Sequence, residues 1–340
     1  MDDWLQRARQ TLDQVAQEAQ KVATEVAQET QKAFQGVAAE VTGQGAPRPS
    51  ETPMDPGALE EAPRAAFYGA LFAMANADGA IDKDELRVIF ELLDLEGIST
   101  AGRRMVLGYT VQPPRLLDPL LALEHAEDQV RFGLMVNLIE VAWANDLLGV
   151  EQRYALEVAR QQLRVSEEQL QALEQFVQQV RAVQARGLDD SHAAETVRRS
   201  VAGLAAVGVP VAAVYFSGSV IGLSAAGIIS GLAALGLGLG LVPGIGVAIL
   251  LGTGAYLGIS RLLGQTGGRR EQERLRARAQ RQAFLLARCL HEAIAMVEER
   301  LQTIQRAHAD REQIRELEGR LRALQQLLAR YQRLASGVAS

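Results

Sequence analysis

Apolar residues recur at every third or fourth position over most of the chain, and no run alternates with period two for long enough to make a strand. That spacing predicts an all-α protein. Residues 64–186 keep it throughout, punctuated by Asp78-Gly79, Gly97, Pro113-Pro114 and Gly149. Such breaks predict a bundle of six to eight short helices. Toward the N-terminus the step changes to eleven residues, in Val15, Val26 and Val37 and in Leu12, Ala23 and Phe34. An eleven-residue repeat advances 3.67 residues per turn, so residues 1–42 are expected to form one amphipathic helix that self-associates or lies on a surface. Residues 43–63 hold five of the ten prolines. Proline lacks a donor and restricts its predecessor, so this stretch is expected to be a linker.

Beyond the bundle, with residues 187–199 expected as a connecting helix, the pattern stops alternating altogether. Residues 200–260 contain no Asp, Glu, Lys, Arg, His, Asn or Gln. About 20 apolar residues suffice to cross a bilayer as a helix, so a membrane segment is expected. Breaks at Ser217-Gly218-Ser219 and Pro243-Gly244 divide it into 201–216, 220–242 and 245–260. Arginines flank both ends: Arg198 and Arg199 before it, and Arg261, Arg269, Arg270, Arg274, Arg276 and Arg278 within the basic stretch 261–281 after it. Basic residues near span ends favour the cytoplasmic side, which predicts an even number of crossings, a transmembrane helical hairpin. Gly218/Gly222, Gly227/Gly231 and Gly254/Gly258 place small residues on one helix face, where helices in lipid can pack closely. The basic stretch is expected to meet anionic headgroups. It has no aromatics for base stacking, so nucleic acid is not expected as a partner.

The last segment, 282–335, carries two heptad runs. Leu290, Ile294, Val297, Leu301 and Ile304 form the first, and Ile314, Leu317, Leu321, Leu324, Leu328 and Tyr331 the second. They predict a coiled-coil hairpin that buries its seam within the chain or in an oligomer.

Charge is distributed in blocks: net −5 in residues 1–60, −8 in 61–200, zero in 201–260 and +7 in 261–340. A single evenly mixed soluble domain is excluded. The lone Cys289 excludes a disulfide scaffold, and the start, MDDWLQRAR, lacks the pattern of a secretory signal. Gly-x-Gly pairs in the apolar block have neither the lysine of a phosphate loop nor a nearby acidic residue for a ribose.

Candidate chemistry is confined to AMANADGAIDKDELRVIF. Asp78, Gly79 and Glu85 have the spacing of the second half of a calcium loop, with Met74 where the first ligand would fall and Asn76 at the third. Asp82 and Glu85 also have the three-residue spacing of a helix N-cap and its capping-box partner. Two roles stay open for Asp78, Asp82 and Glu85: holding a divalent metal, or capping. About 67 residues on, VAWANDLLGVEQRYALEV repeats the arrangement, with Asn145 matching Asp78 and Gln152 matching Glu85, so both carboxylates become amides. The repeat implies two helix-turn-helix halves.

These two turns, ADGAIDKDEL and ANDLLGVEQR, resemble the TerB-like tellurite-resistance family over about residues 62–186. The second departs from the family pattern at Asn145-Asp146, where Asp-Gly is usual. The resemblance implies a helical module with an acidic pocket, often fused to membrane segments and involved in stress or envelope processes, and no catalytic reaction. No nucleophile, base and orienting group fall together in the sequence. The resulting expectation is a membrane-anchored, non-enzymatic scaffold or sensor facing the cytoplasm, which self-associates through its coiled coils. The rival is a membrane-remodelling or pore-forming protein.

Overall fold

A computed structural model describes residues 59–95, 97–186, 200, 203–210, 269–306 and 311–335, with backbone alone for 183–186, 269–282, 334 and 335. Among the described residues every regular element is a helix and none is a strand. In chain order these are α1 (Glu61–Ala75), α2 (Lys83–Leu92), α3 (Thr100–Gly108), α4 (Leu117–Leu123), α5 (Asp128–Ala142), α6 (Val150–Gln162), α7 (Glu167–Arg186), α8 (Arg269–Arg306) and α9 (Arg311–Ala335).

Helices α1 and α5 are apolar nearly all round, and a helix of that kind is stable only when covered on every side. Both are buried along most of their length and pack against each other at the centre. The remaining helices of the first seven present one apolar face each and surround this pair. Pro63 and Pro119 fall in the first turns of α1 and α4, where the missing N–H has no intrahelical partner to lose. Ser99 caps α3 by accepting from the Gly102 N–H at 3.0 Å, and Ser166 does the same ahead of α7 for Gln169 at 3.1 Å. Gly102 leaves room for the Glu61 carboxylate. A Cβ there would lie 2.5 Å from Glu61 Oε1, the oxygen that accepts from the Ser99 hydroxyl.

The internal repeat extends well beyond the two motifs. Helix α5 starts 67 residues after α1, α6 starts 67 after α2, and α7 starts 67 after α3. Left-handed residues follow the same offset: Gly79 (φ 91°) is matched by Asp146 (φ 63°), and Gly97 (φ 74°) by Arg164 (φ 55°). The backbone is duplicated even where the glycine is not.

The start of the uncharged block is packed on this bundle. A helical turn at 203–206 ends in a Schellman stop: Gly208, at φ 78°, donates to the Ala205 carbonyl, and Val209 to that of Leu204, both at 3.0 Å. Leu204 and Val209 are buried, Gln169 Nε2 of α7 donates to the Val207 carbonyl at 3.1 Å, and the Ser200 hydroxyl donates to Gln179. The expected membrane piece 201–216 is therefore interrupted at Gly208 by a helix stop that sequence reading placed later, at 217–219. No helix among the described residues is long and apolar enough to cross a membrane. Residues 211–260, including Gly218, Gly222, Gly227, Gly231, Gly254 and Gly258, lie outside the described residues, as do 1–58 and Arg261.

Helices α8 and α9 lie side by side and bury the heptad residues Leu290, Ile294, Val297, Leu301 and Ile304 on one, and Leu317, Leu324 and Tyr331 on the other. The pair also packs on α2 and α3. Arg103 of α3 makes a two-pronged pair with Glu292 of α8, at 2.6 and 3.0 Å. The Tyr331 hydroxyl of α9 donates to Glu91 of α2 at 2.5 Å. Buried apolar residues from Ala65 through Leu204 and Val209 to Tyr331 form one continuous core.

Candidate functional site

The chain turns sharply after α1 and again after α5, and the two turns meet. After α1, Asp82 begins α2: its Oδ1 accepts from the N–H groups of Asp84 at 2.7 Å and Glu85 at 2.8 Å, while Glu85 Oε2 accepts from the Asp82 N–H at 2.9 Å. Of the two roles open to these residues, the capping box is fully formed. Asp78 is exposed, and its Oδ1 accepts from the Ala80 N–H at 3.0 Å, two residues on.

The second turn repeats two of the first turn's bonds with amides in place of carboxylates, while Gly149 stands where Asp82 does and makes no side-chain cap. Asn145 Oδ1 accepts from the Leu147 N–H at 3.1 Å, as Asp78 does from Ala80. Gln152 Oε1 accepts from the Gly149 N–H at 3.1 Å, as Glu85 does from Asp82. An amide, unlike a carboxylate, keeps a donor on its other end. Both donors cross to the first turn: Asn145 Nδ2 to Asp82 Oδ2, and Gln152 Nε2 to Glu85 Oε1, each at 2.7 Å. The change from acid to amide joins the two halves.

All four carboxylate oxygens of Asp82 and Glu85 thus accept from protein N–H groups. A cation there would share oxygens that already accept from protein N–H groups. Among the described residues no group of three or more His, Cys, Asp or Glu side chains is arranged to hold a metal ion. Met74, where the first ligand of a calcium loop would fall, is in the core as part of α1.

Electrostatically, Glu85 is the unusual member. Burial pushes its carboxyl up to about 8, and the charges of Asp82 and Asp78 add to the rise. The bonds from the Asp82 N–H and the Gln152 amide oppose it. Burial beside two other carboxylates outweighs the two donors, and the group titrates at about 8 instead of near its ordinary 4.5.

A further charged residue reaches this region from far along the chain. Arg320 of α9 is buried and donates to Asn76 Oδ1 at 2.6 Å and to the Thr110 carbonyl at 3.1 Å, and it pairs with Glu316. Asn76 closes α1, and Thr110 lies just past the end of α3. Arg320 therefore sits at the carbonyl ends of two helices, where positive charge is favoured. Its only local signal is its place inside a heptad run. The basic residues Arg269, Arg270, Arg274, Arg276 and Arg278 lie on α8. Cys289 is buried beside Arg103, and burial pushes its thiol above the ordinary range.

No family model, curated protein or solved structure matches the chain.

Proposed function

We propose that this chain is a membrane-anchored, non-enzymatic scaffold of TerB-like design, in which one helical body on the cytoplasmic face holds both ends of an apolar, glycine-rich segment. The observation that carries this reading is the shared core. Leu204 and Val209, just before residues 211–260, and Ala283, Leu286 and Leu290, after them, are buried in the same continuous core. A chain that leaves and re-enters one body starts and ends on one side of a membrane. The arginines on both flanks favour the same arrangement. The 67-residue repeat of helix starts and left-handed turns supports the TerB-like reading, and the capping box gives the motif carboxylates a structural use. Arg261, Arg269, Arg270, Arg274, Arg276 and Arg278 would then meet anionic headgroups.

The test is fractionation of the full chain against a variant lacking residues 211–260. The full chain should stay in the membrane pellet through carbonate washing, and the shortened chain should move to the supernatant. Recovery of the full chain as a lipid-free soluble protein overturns the proposal. Release of dye from loaded liposomes would favour the pore-forming reading over a passive anchor.

A further inference from the structure

The seam of α8 occupies one side of the helix, through Ala283, Leu286, Leu290, Ile294 and Val297. A different pattern runs along the opposite side. Arg270, Arg274, Arg278, Arg281, Leu285 and Arg288 follow one another at steps of three or four, which places these positions on one line of the helix. Phe284 borders that line, and Glu271 and Glu273 fall to either side of it. Continued past Arg288, the line reaches Glu292, Ala295 and Glu299. One side of one helix is thus basic over its first half and acidic over its second.

The division matches where each half lies. Helix α8 has 38 residues and α9 has 25, and the short connection 307–310 makes them antiparallel, so the start of α8 reaches about 20 Å beyond its partner. Only residues 261–268 separate that start from the uncharged block. Within the basic half, Phe284 and Leu285 are 61 and 37% exposed, although their neighbours Ala283 and Leu286 are buried. Arg288 is exposed as well, and the acid it pairs with, Glu292, is 4.0 Å away and held more closely by Arg103, at 2.6 Å.

Two exposed apolar side chains do not by themselves identify what covers them. Here their surroundings select a lipid surface: arginines share their side of the helix, the uncharged block adjoins it in the chain, and the line turns acidic farther away. A protein partner would not require the basic half to be the half beside that block. We infer that this side of α8 docks the folded body on an anionic membrane surface, with Phe284 and Leu285 entering the headgroup region and Arg278, Arg281 and Arg288 beside them. The inference rests on the membrane-anchored reading and deepens it. Anchoring alone leaves the orientation of the body open, whereas docking fixes which side faces the lipid. Apolar insertion and basic attraction are each weak, and a stable contact takes both.

The test uses the full chain in vesicles of phosphatidylcholine with about one third phosphatidylglycerol. Phe284→Trp adds one indole to Trp4 and Trp143 at an exposed position. The emission it adds should be blue-shifted in ordinary vesicles and quenched when the acyl chains are brominated. Arg281→Glu with Arg288→Glu should restore that emission, since each arginine at such a surface is worth about fivefold in the docked population. Flotation with the vesicles is measured on the same samples. A chain that floats while the added emission stays unquenched overturns the inference and leaves the anchor standing. A blue shift without quenching also overturns it, because the indole is then covered by protein, either a second copy or the acidic region 1–60. So does quenching that survives the charge reversal. A chain that does not float overturns the anchored reading and this one together.

Discussion

Arg164 occupies a position that a glycine would fill at lower cost. It sits just past α6 at φ 55°, donating to the Gln161 carbonyl at 3.2 Å, while Val165 donates to Arg160 at 2.9 Å. That pair of bonds is a Schellman stop, and an L-residue in its left-handed position is strained by roughly 1 kcal/mol. Arg164→Gly should stabilise the protein by up to about 0.5 kcal/mol, since half or more of the gain is lost to the freer unfolded chain. A higher urea midpoint at unchanged slope would show it; an unchanged midpoint would mean the turn is relaxed. Asp146→Gly should gain less, because aspartate tolerates this conformation better and its carboxylate holds Arg181 at 2.5 Å.

Glu85 yields a prediction of a different kind. Its folded-state carboxyl titrates at about 8 against an ordinary 4.5, so between these values the folded state binds the extra proton. Stability must then fall as pH rises through that window. In Glu85→Gln the contribution is removed, and the difference in unfolding free energy between wild type and variant should slope across pH 5 to 8 in that direction. Parallel profiles would show that the donors from Asp82 and Gln152 hold the carboxyl near its usual range. The variant should also be less stable at low pH, since one end of a glutamine would face an N–H with another N–H. The capping box was legible in the sequence because Asp82 and Glu85 are three residues apart and touch through the local backbone. The junction was not. Asn145 and Gln152 could be aligned with Asp78 and Glu85, but the step from acid to amide reads as a lost ligand until the two turns are seen facing each other.

At the scale of elements, α8 and α9 show how far a periodic pattern reaches. A heptad identifies which side of a helix is buried, and Leu290, Val297, Leu324 and Tyr331 are indeed buried. It does not identify what lies on the other side of the seam. Arg320 falls between Leu317 and Leu321 and reads as a solvated charge, yet it is buried against the ends of α1 and α3. No local rule finds it, because its partners Asn76 and Thr110 are more than 200 residues away. Removing one partner of a buried charged cluster leaves the others without donors, at a cost of about 3 kcal/mol or more. Arg320→Ala should lower stability by that amount in urea unfolding. Arg320→Lys should recover only part, because an ammonium cannot reproduce the planar fork that serves Asn76 and Glu316 at once. If both variants unfold at the wild-type midpoint, the helix pair is held by its apolar seam alone.

The whole molecule differs from the sum of its patterned segments. Sequence reading divides it into a bundle at 64–186 and a coiled coil at 282–335, since each segment's periodicity accounts for its own apolar residues. An uncharged block between them suggests separation. In the structure Arg103 grips Glu292 across 189 residues of chain, Tyr331 reaches Glu91, and the buried residues of both segments belong to one core. Contacts at such long range are invisible to a window of any helical length. They also determine how the protein should unfold. Two independent units would melt separately, whereas one core should give a single cooperative transition. Native-state hydrogen exchange tests this directly: the most protected amides of α8 and α9 should open with the same free energy as those of α1 and α5. A truncated chain ending at residue 199 would lose the cover of α2 and α3, and the amides of those two helices should exchange faster than in the full chain. If α8 and α9 instead exchange at a distinctly lower free energy while α1 and α5 stay protected, the helix pair is a detachable arm. The body that holds both ends of the apolar segment would then come apart on one side first.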